Sequence, residues 1–172
     1  MKTELRNITR PRSRAILCPA NGIGVMARGC LLDLVKVGGA DLAREARAVA
    51  KVKDQPRKPG TCFVTGPHDL SDRGVKRIYH AVITEYPGGV SSIDYVIHAV
   101  RSALETAIKD GMDSIAIASL ETGDTKLDKT QIAGIVVQIA KEFDHKIKIR
   151  CVDKDKEFIL AVRRLAGKNE HS

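Results

Sequence analysis

The chain has 172 residues, 43% of them hydrophobic and 29% charged, and carries 29 lysines and arginines against 21 aspartates and glutamates for a net charge of +8. That length suits one domain with a real core and is short for two, and the balance is that of a soluble globular protein rather than a disordered chain. No apolar run approaches the ~20 residues of a membrane span, so no membrane partner is expected.

The opening MKTELRNITRPRSR is basic but is followed by no apolar segment of the kind a signal peptide needs, which points to the cytoplasm. Within it KTELRNI is a weak strand candidate, and Arg6, Arg10, Arg12 and Arg14 make a first basic cluster. A basic surface concentrates phosphorylated partners, yet clusters of this kind are commonly solvated faces. RAILC at 14–18 predicts a strand, which breaks at Cys18-Pro19-Ala20-Asn21-Gly22. After the glycines and Arg28 comes a helix over Leu32–Val52, with an interruption expected at Gly38-Gly39. KDQPRKPG is the most loop-like stretch and, with Lys51, Lys53, Arg57 and Lys58 nearby, the second basic cluster.

TCFVT at 61–65 and IYHAVI at 78–83 predict a hairpin of strands. Ile93, Val96, Ile97, Val100, Leu104, Ala107 and Ile108 then recur at helical spacing, with Ser91 as N-cap and Gly111 just past the C-terminus. SIAIASL at 114–120 is a further strand. Ile132, Ile135, Val136, Ile139 and Phe143 line a helix face, IKIRCV at 147–152 is a last strand, and Phe158–Leu165 a short helix behind Asp155. Strand and helix alternate, which predicts a three-layer α/β/α sandwich around a mixed, mainly parallel sheet, with residues 1–172 as one domain.

In such folds ligands sit beyond the carboxyl ends of the strands, where loops enter helices. Two segments fit: AILCPANGIGVMARGC and SLETGDTKLD, in which Gly24, Gly29 and Gly123 would let backbone approach an oxyanion. Cys18, Cys30, Cys62 and Cys151 lack C-x-x-C spacing, so neither a zinc site nor a disulfide framework is expected. No cofactor or metal is implied.

These segments together resemble the macro domain family, the module that recognises ADP-ribose and related nucleotides. RNIT at 6–9 resembles the family's G-D-I-T, and AILCPAN its strand ending in N-A-A-N or N-P-A-N. GTCFVTGPHDL with KRIYHAV resembles the paired strands, and ALETAIKDGMDSIAIASLETG the helix, strand and second phosphate loop. The resemblance implies that Asn21 bonds the distal ribose, and that backbone around Arg28, Gly29 and Cys30 cradles one phosphate. It gives the other phosphate to Glu121, Thr122, Gly123 and Asp124. On the residues alone, Asn21 is equally readable as a turn residue tolerating positive φ.

Departures from the pattern bear on function. The acidic residue that reads the adenine amino group is here Asn7, followed by Ile8. G-G-G-V becomes Ala27-Arg28-Gly29-Cys30, where Arg28 either pairs with a phosphate or points to solvent. Glu121 replaces a small residue, and would repel a diphosphate by ~1 kcal/mol or more if turned inward. Thr125 stands where an aromatic packs on the ribose. The hydrolytic Asp, ten residues after the Asn, is replaced by Leu31 in the ligand-binding set; Asp33, about 200° further round a helix, is expected to face elsewhere. His80 and His98 read as structural, and Cys18 and Cys30 as packing residues.

The leading expectation is a macro-type protein binding ADP-ribose or a related phosphorylated nucleotide, with little or no hydrolase activity. The alternatives are an ADP-ribosyl or phosphoester hydrolase with a non-standard catalytic group, and an RNA or single-strand binder on a macro scaffold. Whether the chain is an enzyme, and its oligomeric state, stay open at this point.

Overall fold

The computed structural model describes residues 1–120 and 125–168. Its strands are β1 (Lys2–Leu5), β2 (Ala15–Asn21), β3 (Cys62–Thr65), β4 (Arg77–Thr84), β5 (Ser114–Ile117) and β6 (Lys148–Asp153). They form one six-stranded sheet in the order β1-β6-β5-β2-β4-β3. All neighbours run parallel except β3 and β4, whose antiparallel pair is the expected hairpin. The helices are α1 (Gly29–Gly38), α2 (Ala40–Ala50), α3 (Ile93–Lys109), α4 (Lys129–Phe143) and α5 (Lys156–Lys168), with a 3₁₀ turn at His68–Arg73.

Period-two alternation along the strands sorts their side chains into two cores. Ala15 and Leu17 of β2, Tyr79 and Ile83 of β4, and Ile115 and Ile117 of β5 pack with α3, α4 and α5. Ile16 and Cys18, Ile78 and Val82, and Ala116 and Ala118 face the other way, onto Leu34 of α1, Leu42 and Ala46 of α2 and Leu70. The sheet is thus the middle layer of an α/β/α sandwich. Among the described residues, no helix is long and apolar enough to cross a membrane.

The interruption expected at Gly38-Gly39 is present: α1 and α2 are hinged at Gly39, whose φ of 92° no β-carbon residue adopts readily. Two boundaries differ from the sequence expectation for identifiable reasons. The N-cap of α3 is Ser92, which accepts from the Tyr95 N–H at 3.1 Å, rather than its neighbour Ser91. Strand β2 runs through Pro19 to Asn21 instead of stopping at Cys18. A proline normally disrupts a central strand because it lacks a donor. Here β5 pairs with β2 only as far as Leu17, and strand alternation turns the Pro19 nitrogen toward the side β5 has left.

One polar group lies deep in the second core. His80 is fully buried, its ring stacked on Phe63 with centroids 4.4 Å apart. Its Nε2 lies 2.8 Å from Thr65 Oγ1 and its Nδ1 3.6 Å from Cys18 Sγ. Burial lowers its pKa to about 3, so the folded ring stays neutral where an unfolded histidine, near 6.5, has already taken a proton. Because the unfolded chain binds that proton first, stability is fully present above pH 6.5 and is lost as pH falls toward 3. The unfolding free energy from urea titrations at pH 7 to 4 should fall by about 1 kcal/mol per pH unit below 6. His80→Gln, though less stable at pH 7, should show a shallower slope, and an unchanged slope refutes the assignment.

Candidate functional site

The carboxyl ends of β2, β5 and β6 open on one edge of the sheet, where each strand hands over to a helix. At the first handover the chain is tightly held. Both ends of the Asn21 amide close on Val25: Nδ2 donates to its carbonyl at 2.9 Å and Oδ1 accepts from its N–H at 3.1 Å. Asn21 is buried and extended, at the end of a strand, rather than at positive φ. A β-carbon on Gly22 would lie 2.2 Å from the Arg57 carbonyl, and one on Gly24 2.2 Å from that of Ala46. These two glycines therefore serve chain packing against the Arg57 loop and α2. Gly29, at φ 56°, is different: it is exposed, and a β-carbon there would meet nothing within 4 Å.

Helix α1 starts at Gly29 behind Arg28, whose extended backbone forms the N-cap without a side-chain cap, and its first turn carries no acidic residue. The other helices that start from this edge are closed: Asp128 accepts from the Gln131 N–H at 2.8 Å for α4, and Asp155 from the Glu157 N–H at 2.9 Å for α5. A helix start that no side chain among the described residues caps turns its first N–H groups and partial positive charge outward.

Beside this helix start lies a cleft of about 370 Å³ lined by Asn7, Ile8, Gly29, Cys30 and Asp33, and on its far wall by Ser119, Lys129, Asp153, Lys154 and Asp155. The Asn7 amide is fixed at both ends, with Oδ1 accepting from the Thr9 N–H at 3.0 Å and Nδ2 donating to Asp33 Oδ2 at 3.2 Å. Lys154 Nζ meets the same Asp33 oxygen at 2.7 Å. Asp153 accepts from the Ser119 and Asp155 N–H groups, each at 2.8 Å. Lys129 Nζ lies 2.8 Å from Asp155 and 3.1 Å from Glu157.

Asn7, Ile8, Gly29 and Cys30 are thus brought together, while Leu31 is not: it is 7% exposed and packs in the core under α1. The expectation that Asp33 faces away is overturned. Because α1 begins at Gly29, its third residue turns into the core, and a step of two residues carries Asp33 round to the cleft. Arg28, next in the chain to Gly29, is exposed and is not part of the cleft's lining. Glu121, Thr122, Gly123 and Asp124 lie outside the described residues. The Thr125 hydroxyl is buried without a hydrogen-bond partner among the described residues. The sequence reading missed the wall from β6. Its signal was VDKDKE, a charged strand-to-helix loop of the same kind as the two that were noticed.

Neither cleft-side cysteine is poised for attack. Burial, with Asp153 and Asp33 adding negative potential, pushes the Cys30 thiol up to about 12. Burial raises Cys18 well above its ordinary value, and its sulfur is sealed in the core. His98 is exposed on α3 and donates Nδ1–H to the Asp94 carbonyl at 2.7 Å, as a structural histidine would.

A mixed sheet between two helical layers, with a cleft beyond the carboxyl ends of its strands, defines a three-layer α/β protein of the kind whose ligands sit at that edge. The model of the macro domain matches residues 18–136, and the chain belongs to the macro domain family. An uncharacterised protein of Aquifex aeolicus is 31% identical over 163 residues, 94% of each chain. Among solved structures, the Oceanobacillus iheyensis macrodomain with ADP superposes with a TM-score of 0.83 at 16% identity, covering 98% of this chain and 90% of that one. The Trypanosoma brucei macrodomain in complex with ADP-ribose gives 0.78 at 18% identity. It covers 94% of this chain, which spans 67% of the Trypanosoma chain. At these identities the structural likeness is one of fold.

The Cys30 environment has a direct check. A thiol raised from 9.0 to about 12 holds on the order of a thousandfold less thiolate at pH 8. Iodoacetamide should therefore label Cys30 of the native protein far more slowly than free cysteine, and labelling at the free-thiol rate would contradict the burial described.

Proposed function

We propose that this chain binds ADP-ribose, or a nucleotide closely related to it, in the cleft at the carboxyl edge of the sheet, without hydrolysing it. The observation that carries the reading is the uncapped start of α1 opening on the cleft through the bare backbone of Gly29. A phosphate group is the natural partner of such a helix start. The ADP and ADP-ribose of the Oceanobacillus and Trypanosoma structures are ligands of this chemistry. Glu121, Thr122, Gly123 and Asp124 keep the second phosphate that the family resemblance gives them.

Base reading in this proposal moves from Asn7 to Asp33. The Asn7 carbonyl is engaged by Thr9, whereas Asp33 brings a charged acceptor to the same wall, held by the Asn7 amide and Lys154. A carboxylate there accepts from an exocyclic amino group such as that of adenine and disfavours a base that offers a carbonyl in its place.

The case against hydrolysis rests on occupancy of the acid–base groups. Asp33, Asp153 and Asp155 each already hold a lysine or backbone N–H groups, so none of the three is a ready base for a water. Burial pushes the Cys30 thiol up to about 12, and His80 is walled into the core.

Calorimetric titration tests the whole reading. ADP-ribose should bind, its counterpart with the 6-amino group replaced by oxygen should bind more weakly, and Asp33→Asn should weaken ADP-ribose about tenfold, or ~1.4 kcal/mol. ADP-ribosylated substrates should remain intact. Absence of both heat and thermal stabilisation at millimolar ADP-ribose overturns the binding; turnover overturns the second half.

A further inference from the structure

We propose that a second anionic ligand, the phosphodiester backbone of a single nucleic-acid strand, docks on an arginine-lined trough beside the cleft. Two shallow, open depressions lie along β1 and the segment that follows it, and Arg6 lines both. Their walls bring Lys2, Arg6, Arg10, Arg12, Arg73 and Arg150 together with a single carboxylate, Glu4. Six cations against one anion leave five positive charges on one face of a chain whose net charge is +8. The surplus is concentrated here rather than spread over the surface.

The trough is also built. Glu4 bridges Arg6 at 3.2 Å and Arg150 at 2.9 Å, fixing two guanidinium groups while neutralising only one charge. Arg6 Nη1 donates to the Arg10 carbonyl at 3.2 Å. Arg73 Nη1 donates to the Thr9 carbonyl at 2.8 Å and to Thr9 Oγ1 at 3.2 Å. Both Thr9 acceptors are uncharged, so Arg73 is oriented with its charge intact. Arg10 and Arg12 are exposed on the same segment.

The chemistry of the walls selects among polyanions. Five of the six cations are arginines, whose planar forks match phosphate oxygens in pairs. The apolar lining is Leu5 and Pro11 with Met1, whose side chain packs on the core, too little to anchor an acidic peptide through buried side chains. Aromatic residues are absent from both linings, so the strand would be held by its backbone and not by base stacking. A single strand's flexible backbone can follow the irregular line of these arginines, which a stiff duplex cannot. The inference does not depend on the nucleotide reading of the cleft, from which the trough is separated by the step from Arg6 to Asn7.

Fluorescence polarisation with labelled 12-nucleotide single strands of DNA and RNA, several sequences each, tests the proposal. Binding should be independent of sequence and should weaken with salt at a log–log slope of about −2 to −3, as expected for three or four neutralised phosphates. Arg10→Glu combined with Arg12→Glu should cut affinity at least tenfold at low salt and flatten the slope by about 1.4, with an unchanged melting profile. The same variant should titrate with ADP-ribose as the wild type does. The assignment is overturned by absence of strand binding at micromolar protein, by an unaffected double variant, or by displacement of the strand with ADP-ribose. Competition by polyglutamate as strong, charge for charge, as by the strand would give the surface to acidic polypeptides and equally overturn it.

Discussion

The constraint on which the site depends is the complete burial of β2. All seven of its residues are buried, between β4 on one side and β5 on the other. A chain leaving the middle of a sheet must find partners for its backbone at once, because water does not reach them. Here Gly22 N–H is taken by the carbonyls of Thr84 and Glu85, both at 2.9 Å, and its carbonyl by Arg57 N–H at 2.8 Å. Asn21 then clamps Val25. With the exit fixed, the place where α1 begins is fixed too, and with it which residues of α1 reach the cleft. Leu31 goes inward and Asp33 outward as a consequence of that starting point.

The same fixed exit explains why some of the molecule was legible in the sequence and some was not. The layer order was readable because β-branched runs alternate with helical stripes, and each stripe has one sheet face to cover. Residues whose role depends on a backbone approach were not readable in that way. Gly24 looks like a phosphate-loop glycine, yet its lack of a side chain is needed by α2. Arg57 looks like part of a solvated basic cluster, yet it caps α2, with Nε at 2.8 Å from the Ala50 carbonyl and Nη2 at 3.0 Å from that of Val49, and its guanidinium lies 5.8 Å from the Phe63 ring centre. The position of Asp33 depends on the first residue of a helix, and helix boundaries are poorly marked when, as at Arg28, no capping side chain announces them.

Charge is distributed against first intuition. The chain is strongly basic, yet the cleft wall sets Lys129 and Lys154 against Asp33, Asp153 and Asp155. Side-chain charge on that lining therefore does not attract a diphosphate. Among the described residues, the attraction on offer there is that of the α1 backbone, which is short in range and directional, unlike a bare lysine. A site of that kind distinguishes ligands by fit. In the binding proposed above, a diphosphate reaches the helix start while its base reaches Asp33, and a phosphorylated molecule that meets only one of these conditions gains little.

The positive charge that the cleft does without is found on the trough, where Arg6, Arg10, Arg12 and Arg73 gather. The two surfaces touch along the segment from Arg6 to Arg10, in which Asn7 and Ile8 face the cleft while the arginines on either side line the trough. A compact backbone makes this division possible: Arg10 N–H bonds the Asn7 carbonyl at 3.0 Å, turning the chain back on itself within four residues. On the two proposed readings, long-range attraction and close-range selection are carried by different residues of one tight turn. Screening by salt weakens the first far more than the second, since exposed guanidinium groups lose their reach beyond ~8 Å at physiological ionic strength. A ligand's dependence on salt therefore reports which side of the turn holds it.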